Sequence, residues 1–415
     1  MGSKIATFNK VVILCIVLFA CCERKFVEVP YEGDIVLKTQ KEIDEFGLNG
    51  YTSISGSIEI EYSSDPVTSL SPLYSIRQIG GDLKVSQTHI SDFTGLLNLS
   101  SIGGDLFISY NSSLTDLGGL EKLTSLGGSL KIWKNNSLLN LDALRFLSSA
   151  ISDLMINNNN LLQNMDGLSN LESINMLYLA GNKELKKIDF LENIKIEGWI
   201  QIWDNVKLVD LEGFKNLTTI NGHLSISGNT SLTDLKGLRN LTSVKYFIGI
   251  EWNNSLINLE GFNNLKSVGG LWITNNPKLS SISALSNLII IDGNLILDSN
   301  PITGLESLHN ITSLGGAFQI RQCEVLNSLD GLDNLSYVGG DLMIYDNDIL
   351  QNLDGLKNLS IVGGELHITG NKTLNNYCGL NQLIENGIIN GTYRIYSNLY
   401  DPTLQSFSSG NCKQD

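Results

Sequence analysis

The chain has 415 residues, with 28 basic against 43 acidic side chains and a formal net charge of −15. That sign repels phosphate backbones and sets DNA and RNA aside as partners. Length alone suggests two or three domains, unless the sequence repeats, in which case an elongated core can grow by adding copies.

Lys4 and Lys10 precede the apolar run VVILCIVLFA and then CC, the charged and apolar regions of an export signal. This run is too short for a bilayer, which needs about 20 apolar residues in a helix. The stretch LFAC resembles the lipobox of bacterial lipoproteins. That resemblance implies removal of residues 1–20 and a lipid on Cys21, with residues 21–33 as a tether. Acyl chains anchor by burying methylenes at about 0.8 kcal/mol each. The alternative is an ordinary cleaved signal that leaves Cys21 free.

Residues 34–56 read as an N-terminal cap, which an open solenoid needs over its exposed core. In TQKEIDEFG, Thr39 and Glu42 have capping-box spacing, Ile43 and Phe46 share a face, and Gly47 offers a stop. A short helix is therefore expected over residues 40–46.

Residues 57–375 are repetitive. Aligning GGDLFISYNSSLTDLGGLEKLTSL (103–126) with GGDLMIYDNDILQNLDGLKNLSIV (339–362) gives a 24-residue unit, G-G-x-L-x-I-x-x-N-x-x-L-x-x-L-x-G-L-x-N-L-x-S-I/V. About fourteen copies run from residue 80 to about 398, after a degenerate one at SGSIEIEYS. The L-x-I alternation has the period of a strand with one buried face. The paired glycines allow a sharp corner, and leucines every third residue suit arcs tighter than an α-helix. An Asn column from Asn111 to Asn398, with Thr88 and Cys323 as substitutes, can satisfy backbone groups of adjacent coils. The expected fold is all-β, a single parallel β-solenoid of about fourteen coils, with a short capping helix and a disulfide-pinned C-terminal cap.

Numbering each coil so that the ladder Asn is place 9, places 4 and 6 point inward and places 3, 5 and 7 outward. Trp199, His223 and Phe247 then take place 3 of successive coils, Tyr178 and Trp272 place 5, Trp133 and Trp203 place 7, and Trp252 place 8. Between them Ser225, Ser227, Gly228 and Gly249 are small, which predicts a shallow groove with aromatic walls. Sugar rings stack on such faces, with Asp204, Glu251 and His223 available for hydroxyls, and a protein hot spot uses the same residue types. The plainer alternative is that aromatics on neighbouring strands only support one another.

Residues 376–415 depart from the repeat. Cys378 and Cys412 are the late cysteines, and export permits a bridge between them, worth about 3 to 4 kcal/mol in the chain-entropy model. Cys15 would leave with the signal, Cys22 would lie beside the membrane, and Cys323 in the ladder reads as buried rather than reactive.

Signatures of catalysis are missing from the sequence. Its four histidines, His89, His223, His309 and His367, have no close ligand spacing, and no G-x-S-x-G elbow, P-loop or dinucleotide fingerprint stands in a suitable context. No cofactor or metal is expected. The enzyme alternative is a β-helix polysaccharide lyase, which needs acidic calcium ligands, a basic proton acceptor and long loops. The acidic column Asp82, Asp105, Asp153, Asp341 and Glu365 reads instead as a solvated strand edge that blunts aggregation. The N-x-S/T triplets mostly fall where the repeat itself places Asn before Ser or Thr.

The phrases GLRNLTSV, GLDNLSYVGGDLMIYDN and GLKNLSIVGGELHITGN resemble the receptor L-domain, the leucine-rich β-helix of insulin and epidermal growth factor receptor ectodomains. They are similar also to fungal cell-wall proteins and, with the lipobox, to repeat-bearing surface lipoproteins of Bacteroidetes-type bacteria. The resemblance spans residues 34–412 or so. It implies a leucine-rich-repeat fold, an outer-membrane lipid anchor and cell-surface exposure. For function it says little, since such relatives bind quite different things; the exposed aromatic face points to a non-enzymatic ligand-binding or adhesion module for glycan, with protein recognition or envelope assembly as the alternative. The animal receptors' kinase and cysteine-rich modules are absent, so their signalling is not implied.

Overall fold

The computed structural model of the protein describes residues 27–414; the export-signal run, Cys21 and Cys22 lie outside them. Within that span the chain is a parallel β-solenoid. Sixteen strands, from Ile35–Leu37 to Tyr393–Tyr396, stack into one long sheet. Equivalent places pair: Leu106, Leu130 and Leu154 are register partners, as are Ile108, Ile132 and Ile156. All six are fully buried. A slip of one residue would turn every such Leu and Ile to solvent, so the apolar pattern fixes the register. The strands Ile35–Leu37 and Ile58–Ile60 extend the array before the clear copies.

After each ladder residue the leucines arrive at every third position, and the chain tightens into three-residue 3-10 turns such as Asp142–Leu144 and Asp354–Leu356. A second side carries two-residue strands, for example Ser101–Ile102 and Ser125–Leu126. In some coils the short and long strands run together, as in Ser243–Glu251 and Ser267–Thr274.

The Asn column is a hydrogen-bonded ladder along the axis. The Asn205 carboxamide donates to the Leu179 carbonyl of the preceding coil and to the Trp203 carbonyl, both at 3.0 Å. Its backbone N–H donates to Asn229 Oδ1 at 3.1 Å, while its own Oδ1 accepts the Asn182 N–H. Each fully buried amide thus satisfies main-chain groups that packing has removed from water. Cys323 stands in the same column and is buried. Its N–H reaches Asn347 Oδ1 at 3.1 Å, and burial pushes its thiol pKa up to about 12, which keeps it inert.

The paired glycines have a different cause from the one expected. A Cβ on Gly103 would lie 2.1 Å from the Gly80 carbonyl oxygen, and one on Gly104 2.0 Å from Asp82 Oδ1. The close approach of neighbouring coils excludes a side chain there. The left-handed corner lies instead at place 8, before the ladder residue, and holds Tyr110 (φ 57°), Lys134 (φ 54°), Asp204 (φ 54°) and Trp252 (φ 57°). The acidic column is likewise more than a solvated edge. Asp82 Oδ1 accepts the Asp105 N–H at 2.7 Å, and Asp105 accepts the Ser129 N–H at 2.7 Å and the Lys131 ammonium at 2.5 Å. These carboxylates tie one coil to the next.

Both ends are covered. The helix Gln40–Gly47 has the full capping box between Thr39 and Glu42 and buries Ile43 and Phe46. Gly47 does not end it through a left-handed turn; a Cβ there would stand 2.5 Å from Pro72. At the other end Cys378 and Cys412 form a disulfide, and the short helix Leu404–Ser408 buries Phe407.

Candidate ligand-binding face

The outward places of the central coils gather the aromatic residues. Strand pairing sets equivalent places about 4.8 Å apart, which is also the separation at which flat rings stack. Trp199 lies 4.7 Å from His223 at 33°, His223 4.8 Å from Phe247 at 11°, and Phe247 4.6 Å from Trp272 at 13°. Four rings from four coils therefore form one column. Trp272 is not a wall at the end of the patch, as its place 5 suggested, but the fourth ring. Its register partner is Gly249, and that of Phe247 is Gly270, so no side chain blocks the diagonal contact.

The expected groove is filled. Ser225 is only 7% exposed because Trp203 roofs it, the indole N–H donating to Ser225 Oγ at 2.8 Å. Tyr178 meets Trp203 edge-on at 5.6 Å. His223 is not free for a ligand hydroxyl through Nε2, which stands 2.7 Å from the Gln201 amide nitrogen. Burial holds its pKa below the ordinary imidazole range, so the ring is neutral at pH 7 and Nε2 takes the Gln201 N–H.

The groups left for a ligand lie at the Trp199 end of this column and around it. Trp199 is 48% and Trp252 55% exposed. Glu251 is half-buried; burial alone raises its pKa, and its carboxylate would sit 3.2 Å from a Cβ on Gly249. The Asp204 carboxylate lies over Gly228. Trp252 pays twice, with a bulky residue in left-handed backbone, which costs about 1–2 kcal/mol, and an indole turned to solvent. Sequence reasoning found the residues but not their order in the stack, because ring tilt is set by the glycines and serines on the adjacent coil.

Among the described residues no group of three or more His, Cys, Asp or Glu could hold a metal ion, and no helix is long and apolar enough to cross a membrane.

The receptor L domain family model matches residues 51–144 and 289–386. The aromatic column falls wholly between these two matched segments. No curated protein matches the chain. Among solved structures, the chain is similar to that in the crystal structure of a TLR13–ssRNA13 complex, at 14% identity and a TM-score of 0.24, over 91% of this chain and 72% of that one.

Proposed function

We propose that the protein is a non-enzymatic recognition module that binds a protein partner through the sheet face around Trp199, Trp203 and Trp252, held at the cell surface by lipid on Cys21. The observation that carries this reading is the ring column. His223, Phe247 and Trp272 spend their faces on one another, so the surface offers ring edges beside the half-buried carboxylate of Glu251. Rigid aromatic edges with a desolvated charge are what protein hot spots present. The receptor L domain match at both ends supports a recognition role for the scaffold.

Glycan capture is the second reading, favoured by one observation: Trp199 and Trp252 remain half-exposed, and an indole face is a platform for a sugar ring. A photo-crosslinking residue at position 252, used on intact cells, tests the first reading. A discrete protein adduct that Trp199→Ala abolishes supports it. A glycan-array signal lost in Trp199→Ala and Trp252→Ala, with no protein adduct, would replace it with the second. The anchor is tested separately by acyl labelling, which Cys21→Ala must abolish.

A further inference from the structure

On the short-strand side, neighbouring coils are joined by main-chain pairing, for example Ser101 with Ser125 and Thr219 with Ser243. One junction is open. Lys195–Ile196 pairs back to Ser173 and Ile174, and Thr219–Ile220 pairs forward to Ser243 and Val244. Among the described residues no main-chain hydrogen bond joins 194–198 to 218–222. The junction after Leu126 also lacks a strand pair, but there the Ser149 hydroxyl closes it, accepting the Leu126 N–H at 3.0 Å and donating to the Leu126 carbonyl at 3.2 Å.

The cause is visible in the chain. NLTTI at 216–220 corresponds to NIKI at 193–196, one residue shorter. On the long sheet the two coils stay in register, Ile200 against Leu224, so the missing residue is taken up on the short-strand side and the coils part there. A cavity of about 440 Å³ opens between them, lined by Ile194, Ile196, Phe214, Leu217, Thr219 and Asn221 among others. Leu217 shows the parting directly. Its counterparts Leu123, Leu147, Leu241 and Leu265 are fully buried, whereas Leu217 is only partly so.

We propose that this cleft binds a short, uncharged, extended peptide segment. The two lips are strand edges whose carbonyl and N–H groups alternate without partners across the gap, and another strand matches such a pattern residue by residue. The floor of Ile194, Phe214 and Leu217 takes an apolar side chain. Charge selects further: Lys195 is paired with Glu197 and Lys215 with Glu192, each at 2.6 Å, so the lips hold no unpaired charge for a charged segment to meet. This site lies on a different side of the coils from the aromatic column and does not depend on it.

The test is an array of N-acetylated, C-amidated hexapeptides alternating Thr with Val, Ile or Leu, offered to the full mature chain. Some members are expected to bind, and N-methylation of alternate peptide amides to weaken them by about tenfold or more. Inserting one Thr between Ile194 and Lys195 restores the skipped position and must do the same; Leu217→Asp, at an already part-exposed position, gives a second lesion should the insertion fold poorly. Trp199→Ala and Trp252→Ala must leave peptide affinity unchanged. Amide exchange at Thr219 and Asn221, whose N–H groups face the gap, should be fast in the free protein and slowed by peptide, whereas Ile220 pairs forward with the next coil. Absence of binding, binding indifferent to N-methylation or to both lesions, or slow exchange in the free protein overturns the proposal.

Discussion

Two tryptophans occupy place 7 in the same local motif and end differently. Phe107 meets Trp133 edge-on at 4.9 Å, as Tyr178 meets Trp203 at 5.6 Å. The place-5 residue of the following coil is Met155 in the first case and Ser225 in the second. Ser225 accepts the Trp203 N–H; the Trp133 N–H is buried without a partner. Around Trp133 the face stays hollow, a depression of about 440 Å³ lined also by Lys84, Asp105, Phe107, Lys131 and Met155. Around Trp203 it is roofed and continues into the ring column. One residue on the neighbouring coil thus decides whether an outward indole becomes a fixed part of the surface or the wall of a hollow.

The largest expected effect tests what the two regions share. Asn135→Leu and Asn205→Leu remove the ladder amide beneath each tryptophan and orphan several buried main-chain groups. Each should lose about 3 kcal/mol or more in chemical denaturation. A clear inequality would show that the ladder does not bear equally on both. Next, Ser225→Ala strands the Trp203 N–H in the manner of Trp133 and should cost about 1–2 kcal/mol. Met155→Ala, which takes no acceptor away, should show no such hydrogen-bond loss by the same assay when paired with Trp133→Phe in a double-mutant cycle.

A smaller change of opposite sign is expected at Trp252. Trp252→Asn places a residue that tolerates left-handed backbone, as Asn158 and Asn275 already do at this corner, and should raise stability by about 1 kcal/mol in chemical denaturation. A destabilised Trp252→Asn protein would mean that the indole contributes to packing instead. The smallest effect is in pH. The folded pKa of His223 is depressed by burial from 6.5, so the unfolded chain takes up the proton first. Its stabilising contribution is complete above pH 6.5 and declines as pH falls through 6.5 toward the folded value. Trp199 fluorescence should change with a midpoint below 6.5 and lose that transition in His223→Gln, whereas the Trp133 region, with no histidine in contact, should give none.

Much of the scaffold could be read from the chain. Leu106 and Ile108 repeat at places whose period admits only one buried face, so the solenoid, its register and its outward columns follow. The capping box at Thr39 and the bridge between Cys378 and Cys412 were legible because each rests on local chemistry. The left-handed corner was not, since Tyr110, Lys134 and Trp252 carry no preference for it; closure of the coil imposes it on whatever residue stands there. The glycine pair was visible, but its reason was a neighbour some 24 residues away. The filled groove was missed for the same reason: Ser225 is small in sequence and covered in space by a side chain from the preceding coil. The skipped residue at 193–196 lay in plain view, yet only the lost pairing showed what it does.

The exchange of an amide for a thiol at Cys323 reaches beyond its own coil. From Thr88 to Asn300 each ladder residue hands its N–H to a carboxamide oxygen on the next coil, and from Cys323 to Asn398 the same relay resumes. At the joint, Asn300 N–H faces a sulfur, a weak acceptor. In a structure whose stability is close to a sum of nearest-neighbour terms, the weakest coupling sets where a cooperative unit ends. The ladder is thus weakened between a long segment that bears the aromatic column and a short segment locked by the disulfide. The rod therefore has two soft joints of different kinds: this one, where a single ladder hydrogen bond is weak, and the open junction between 194–198 and 218–222, where the short-strand pairing is missing.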